Sequence, residues 1–390
     1  MFKGTFSMRP LIQLARDLMH HPNRERELLE HFIHTHEFPM VSDEHATFFF
    51  WDGEHADQVY LRHWVYGLES RQPFQRLPHS NGFWLTINLP YSARLEYKFE
   101  IQRGENSYWV RDPHNNAKAF DPFGANSVCT RPGYEPPHWT KEDPKVRKGH
   151  LETFKLHNQA FGDERPVTVY LPNEHRPRKK YPLLICHDGS DYRRFSDMIT
   201  ILDNLIHRHE VLPIIVAFID GVNRNPEYGA NPLQAQYIVE DLLPALEERY
   251  SVMSGPEHRA LMGASFGGVS SLYTAWKYPG VFHRLLLQSG SFAFTDIGEH
   301  NRGDLWDPVV EFVNALRSNP TDIKGRVFMS CGIFESLIYY NRTIAPILKE
   351  QGTQVQYIEA QDGHNWINWR DRLRSGLSWI FPGHLWMYYE

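Results

Sequence analysis

Cysteine is scarce in this chain: three in 390 residues, Cys129, Cys186 and Cys331. An odd, scattered set supplies neither a disulfide framework nor the close spacing of a metal site, so no metal and no cofactor are expected, and it fits a reducing compartment. Long apolar runs are missing too; none approaches the ~20 residues of a membrane-spanning helix. The opening MFKGTFSMRP has no basic stretch followed by an apolar core. No signal peptide is expected from it, and a cytoplasmic setting is. There is no excess of positive charge. Lys and Arg number 41 against 47 Asp and Glu, a net charge of −6, which gives no footing for nucleic acid or an anionic membrane surface. Internal repeats and low-complexity tracts are absent.

What remains is the composition of a globular protein, 41 % apolar and 23 % charged, with 14 % aromatics. The length leaves room for two domains. Composition sets no oligomeric state.

One stretch organises the rest. Residues 259 to 278 read RALMGASFGGVSSLYTAWKY. An apolar strand (Ala260, Leu261, Met262) runs into Gly263-Ala264-Ser265-Phe266-Gly267-Gly268, and a helical run from Val269 closes before Pro279. Strand, Gly-x-Ser-x-Gly, helix is the nucleophile-elbow pattern. The turn is too tight for side chains beside the serine, so Gly263 and Gly267 flank it and Ser265 Oγ is pushed outward. The helix N-terminus behind it offers N–H groups and partial positive charge to an oxyanion. The bland alternative is a Gly-rich turn with an incidental serine.

Taken in order, residues 1–38 carry apolar residues at helical spacing (Leu11, Leu14, Leu18, then Leu28, Leu29, Phe32), broken at His21-Pro22. Residues 39–130 change texture. Short strand-like segments such as Thr47–Trp51, Gln58–Leu61, Gly82–Leu89 and the alternating Leu95–Ile101, separated by turns, predict a small β-sandwich. This region resembles the early-set, immunoglobulin-like modules found before glycogen-branching domains, on Tyr97-x-Phe99, Asp112-Pro113-x-Asn115 and Asp121-Pro122-Phe123-Gly124. Residues 131–149, Pro-rich and charged, read as a linker. From residue 150 to 390 strands alternate with helices, which implies a mostly parallel sheet covered on both faces. With the elbow, the expected class is α/β, an α/β-hydrolase domain preceded by the sandwich and the helical segment.

A serine needs a base, and the base an orienting acid. In this fold the order is Ser, acid, His, with the histidine after the last strand. Gln361-Asp362-Gly363-His364 follows the strand ending at Ile358, which selects His364. The acid should follow the preceding strand, Val327–Ser330, which selects Glu335. Asp362 is the rival, too close in sequence to reach the ring easily; Asp304 and Asp307 sit at no strand end. Oxyanion donors are assigned to the amides of Phe266, after the nucleophile, and Ser190, in the loop His187–Tyr192. His187 and Asp188 are read as buttresses of that loop, and Asp191 and Tyr192 as substrate contacts. Arg224, after the strand Ile214–Ile219, is a candidate partner for an anionic substrate group, with Glu227 holding it; the alternative is a surface ion pair.

The hydrolase part resembles the esterase family that includes enterochelin esterases, feruloyl esterases and S-formylglutathione hydrolase, and most closely its enterochelin-esterase branch. The resemblance rests on Arg165-x-Val167-x-Val169-x-Leu171-Pro172, Asp188-Gly189, Asp220…Arg224-x-x-Glu227-x-x-x-Asn231, the elbow, Gln288-Ser289-Gly290-Ser291, Gly332-x-x-Glu335 and Gly363-His364. It implies hydrolysis of a small-molecule ester through an acyl-serine, with a siderophore trilactone, free or ferric, as one substrate, and Arg224 facing its anionic groups. The acidic balance and the branching-module likeness keep two other readings open: an acyl or feruloyl-type carbohydrate esterase, and a non-enzymatic binding protein on a hydrolase scaffold.

Overall fold

Segments that are apolar from end to end must be buried on both faces when they form strands. Residues 183–186, 215–219 and 260–264 are such segments, and each lies in a strand in the interior of a sheet. The computed structural model describes residues 8–42, 44–173, 175–320 and 323–384; residues 1–7, on which the expectation of no leader partly rests, lie outside these. The chain forms two compact units.

The larger unit comprises Pro136–Gly332, Leu337–Ala360 and Trp366–Glu390. Its eight strands are β1 (His150–Asn158), β2 (Asp163–Leu171), β3 (Leu183–His187), β4 (Ile215–Ile219), β5 (Arg259–Ala264), β6 (Arg284–Gln288), β7 (Arg326–Gly332) and β8 (Gln354–Ala360). Their order in the sheet is β1-β2-β4-β3-β5-β6-β7-β8. β1 and β2 form an antiparallel hairpin, and β2 joins β4 antiparallel. From β4 to β8 all pairings are parallel. Side chains alternate between two cores. Leu183, Ile185, Leu261, Leu285 and Leu287 pack on one face with the helices Phe266–Lys277 and Asp307–Ser318. Leu184, Cys186, Met262, Leu286 and Phe328 pack on the other with Met198–His207 and Trp366–Ile380.

The helical stretch after β4 is not continuous. Pro232–Gln236 and Leu243–Arg249 are α-helical, and Tyr237–Leu242 between them takes the wider π form. Pro244 cannot donate an α-register hydrogen bond, and the π turn directly precedes it. The stretch read as a linker is also pinned: Asn204 Nδ2 donates to the carbonyls of Trp139 and Lys141. No helix among the described residues is long and apolar enough to cross a membrane.

The smaller unit comprises Met1–Glu135 with two short pieces from far along the chain, Ile333–Ser336 and Gln361–Asn365. It holds two sheets. One is ordered Met40–Val41, His45–Phe50, Phe83–Asn88, Gln75–Arg76; the other Arg71–Pro73, Gln58–His63, Arg94–Arg103, Gly124–Thr130, Lys118–Asp121, with Asn106–Val110 also paired to Arg94–Arg103. Phe48, Phe50 and Phe83 of the first sheet share a core with Val59, Leu61, Tyr97 and Phe99 of the second. Phe49 points the other way, onto Leu11, Leu14, Leu18, Leu29 and Phe32 of the helices Arg9–His20 and Glu25–Thr35. This explains the unbroken Phe48-Phe49-Phe50 run: the strand is apolar on both faces because both are covered. The Asp112-Pro113-x-Asn115 motif is structural. Asp112 accepts from Tyr97 Oη at 2.6 Å and Asn115 Nδ2 donates to the same oxygen at 2.9 Å.

The packing predicts that the N-terminal helices stabilise the smaller unit. Leu18 is fully buried, so Leu18→Ala should cost about 2–5 kcal/mol. Met19 is 58 % exposed, and Met19→Ala should change stability by no more than about 0.5 kcal/mol. Urea unfolding of the two variants checks the difference.

Candidate active site

The elbow is forced by backbone crowding. A Cβ on Gly263 would lie 2.3 Å from the carbonyl carbon of Gly267, closer than any side chain tolerates. Between these glycines Ser265 takes φ 56° and ψ −121°, a strained region for a residue with a side chain. The amide of Ser265 donates to Gln288 O at 2.9 Å, and its carbonyl accepts from Gly268, Val269 and Ser291. The turn is therefore tied to the start of its own helix and to the chain leaving β6. Ser265 Oγ is half-buried and 3.1 Å from Ser291 Oγ. The Phe266 amide opens the helix Phe266–Lys277, the position at which an oxyanion would meet an N–H and the positive end of the helix dipole.

In the smaller unit, Glu335 and His364 come together. His364 Nδ1 is 2.7 Å from Glu335 Oε2. The carboxylate is buried and the imidazole one-third exposed. A proton on Nδ1 donated to the carboxylate makes Nε2 the basic nitrogen. Asp362, the rival acid, is engaged elsewhere: both of its oxygens face Arg94 Nη1, at 3.3 and 3.4 Å.

Several expectations are corrected in the larger unit. The Ser190 amide donates to Asp220 Oδ1 at 3.0 Å, and Ser190 Oγ does the same at 2.9 Å. Residues 189–195 form a helix, and Asp220 satisfies its first turn; the amide is occupied rather than presented. Tyr192 is not a substrate contact. The helix turns it inward, where it is fully buried, donates to Gln288 Oε1 at 2.8 Å and meets Trp366 edge-on. Asp191 is half-buried on the same first turn, and burial, then Asp188 and Asp220, push its carboxyl up to about 6. Glu227 does not hold Arg224. It is buried, pairs with Arg165 at 2.7 Å and accepts from the amides of Val222 and Asn223. Arg224 forms a two-pronged pair with the buried Asp188, at 2.6 and 2.7 Å. Its charge is therefore matched by the protein itself.

Two features escaped the sequence. Ser291 had only its place in the Gln-Ser-Gly-Ser run as a signal. A cation stacked between aromatics lies near the elbow: the Phe266 ring is 5.0 Å from Trp306, and the Arg302 guanidinium lies 4.8 Å from Trp306 and 5.2 Å from Tyr340. Its only trace in the sequence is the Arg302…Trp306 spacing in the segment after β6. Among the described residues no group of three or more His, Cys, Asp or Glu side chains could hold a metal ion.

His187 acts as a buttress. It is fully buried, with Nδ1 facing Met262 O at 3.0 Å and Nε2 facing Ser270 Oγ at 3.0 Å. Burial lowers its pKa from 6.5 to about 4. A base with a depressed folded pKa takes up a proton on unfolding, so its contribution is intact above the unfolded value and is lost as pH falls from 6.5 toward 4. The full loss is about 3 kcal/mol. Urea midpoints measured across this window should fall more steeply for the wild type than for His187→Gln. Gly263→Ala should cost upward of about 4 kcal/mol, read as loss of soluble folded protein.

With this geometry in place, the chain can be set beside known proteins. A family model described as "Putative esterase" matches residues 158–380, more than half of the chain. The iron(III) enterobactin esterase of Dickeya dadantii (strain 3937) is 23 % identical over 233 residues, 58 % of this chain and 54 % of that protein. The chain thus spans about half the length of the curated relatives it matches. The crystal structure of ferric enterobactin esterase from Salmonella typhimurium superposes with a TM-score of 0.71 at 19 % identity, covering 86 % of this chain and 93 % of that one. The enterobactin esterase from Shigella flexneri in the presence of enterobactin gives 0.70 at 20 % identity, over 90 % and 95 %. These two share the mixed α/β, hydrolase-like fold, and by the match over residues 158–380 the chain belongs to the esterase family.

Proposed function

We propose that the chain is a serine ester hydrolase in which Ser265 is the nucleophile, His364 the general base and Glu335 the orienting acid. The observation that carries the reading is the His364–Glu335 hydrogen bond of 2.7 Å. The two residues lie just beyond the C-terminal ends of β7 and β8, strands parallel to the one that delivers Ser265. In this mechanism His364 Nε2 takes the proton of Ser265 Oγ as Oγ bonds to the ester carbonyl carbon. The Phe266 amide stabilises the oxyanion. His364 then returns the proton to the alkoxide oxygen as the ester C–O bond breaks, releasing the alcohol. Water, deprotonated by the same imidazole, cleaves the acyl-enzyme and restores Ser265.

The substrate class we assign is a catecholate siderophore trilactone. The likeness to enterobactin esterases, which runs over both units, supports it. Arg224, neutralised by Asp188, is the weaker candidate for the anionic aryl groups. Arg302, half-buried between two rings beside Phe266, is the better one, since a flat cation stacked on aromatics suits an anionic aromatic ligand.

Hydrolysis of p-nitrophenyl acetate and of apo and ferric enterobactin tests the reading. Ser265→Ala should lose several powers of ten in kcat on every substrate cleaved, and Glu335→Gln about 10⁴-fold. Arg302→Ala should raise KM for enterobactin and leave that for p-nitrophenyl acetate unchanged. Cleavage of the simple ester alone would remove the siderophore from the assignment. A Ser265→Ala protein as active as wild type would remove the triad.

A further inference from the structure

We propose that Arg94, on the first residue of a strand in the smaller unit, is a positioning residue that holds the histidine loop in catalytic register. The inference rests on His364 being the base.

Arg94 is 3 % exposed, and its polar contacts converge on the residues flanking His364. Its Nη1 faces Asp362 Oδ1 and Oδ2 at 3.4 and 3.3 Å, and donates to Asn365 Oδ1 at 3.0 Å. Its backbone amide donates to Gln361 O at 3.0 Å. One arginine thus grips the loop two residues before the histidine and one residue after it. Asp362 Oδ1 closes the loop on itself, accepting from the Gly363 amide and Asn365 Nδ2, both at 2.7 Å. On its other side the guanidinium is anchored: Nη2 donates to Glu96 Oε1 at 2.7 Å, and Glu96 Oε2 accepts from Asn126 Nδ2 at 2.9 Å.

The acid loop is held by the same unit. Phe334, next to Glu335, is buried in the core formed by Phe48, Phe50 and Phe99. Its carbonyl accepts from the Tyr66 amide at 2.7 Å, and its amide donates to Asp362 O at 3.2 Å. The last bond joins the acid loop to the histidine loop directly.

Why this is positioning and not simply stability follows from the chemistry. A buried ion pair adds little net stability over an apolar pair of the same volume, because both charges lose water. It does fix geometry, since each charge tolerates few alternative placements. Only a guanidinium can reach Asp362, Asn365 and Glu96 at once; a lysine ammonium has one point of charge and no planar fork. A displacement of about 1 Å at the base is enough to cost about 10²-fold in rate.

The test is steady-state hydrolysis of p-nitrophenyl acetate by the full chain carrying Arg94→Met, Arg94→Lys, Asn365→Ala or Ser265→Ala, with circular dichroism to establish folding. Arg94→Met should lower kcat about 10²-fold with KM changed by no more than about twofold. Arg94→Lys should fall between it and the wild type. The far-downfield proton resonance of the His364–Glu335 bond, identified by its loss in His364→Gln, should disappear in folded Arg94→Met. If Arg94→Met does not fold, Asn365→Ala carries the test, with a smaller loss in kcat at unchanged KM expected. A folded Arg94→Met, or failing that Asn365→Ala, with wild-type kcat beside an inactive Ser265→Ala overturns the role of Arg94 and leaves the triad standing. An active Ser265→Ala overturns the triad and this inference with it.

Discussion

The contact of one backbone with another at Gly263 and Gly267 is the constraint on which the turn carrying Ser265 depends. No atom fits between them, so the chain reverses within a single residue and Ser265 occupies a backbone conformation that an isolated peptide would avoid. The same device recurs around it. A Cβ on Gly189 would lie 2.4 Å from Phe218 Cβ of β4, and one on Gly268 would lie 3.3 Å from Gly290 Cα after β6. Around Ser265 the chain is packed closely against main chain. That packing is rigid, because backbone has no rotamers to yield. The strain at Ser265 is offset by four backbone hydrogen bonds, from its amide to Gln288 and to its carbonyl from Gly268, Val269 and Ser291, and by a helix that cannot start anywhere else.

What was legible in the sequence follows from this. The elbow is local: strand, turn and helix fall within twenty residues, and each has its own composition. The same holds for the β1–β2 hairpin and for the split at His21-Pro22, where helices Arg9–His20 and Glu25–Thr35 meet. That Glu335 and His364 fall in neighbouring loops is legible because strand ends order the loops of a parallel sheet, and the two side chains, 29 residues apart, meet at 2.7 Å.

Where fold and sequence diverge, nearness along the chain does not mean contact. Arg224 and Glu227 are three residues apart and of opposite sign, so they read as a pair. In the fold each pairs with a residue on another strand or at its end: Asp188 after β3, and Arg165 on β2. Buried charges pair where the topology brings them together, and nothing local announces the partner. Tyr192 departs for a related reason. Its segment follows a strand and looks like a rim loop, but a short helix rotates the ring into the core. Ser190 reads as an oxyanion donor from its place in the loop after an early central strand; in the fold its amide opens a short helix and donates to Asp220.

The division of the chain into units makes the same point at a larger scale. Residues 158–380 define the family match and contain Ser265, Glu335 and His364. They do not contain Arg94, Tyr66 or the core that buries Phe334. The loops bearing the acid and the histidine are attached to β7 and β8 only at their ends; their contacts assign them to the smaller unit. A segment cut to the family boundary would therefore keep every residue of the proposed triad and lose the side chains that hold two of the three in place. Under the proposed assignment, the two-sheet unit supplies the side chains that hold Glu335 and His364 in their mutual geometry. Its place in the sequence, ahead of the hydrolase strands, conceals this, because the contacts that matter span some 270 residues of chain, as between Arg94 and Asn365.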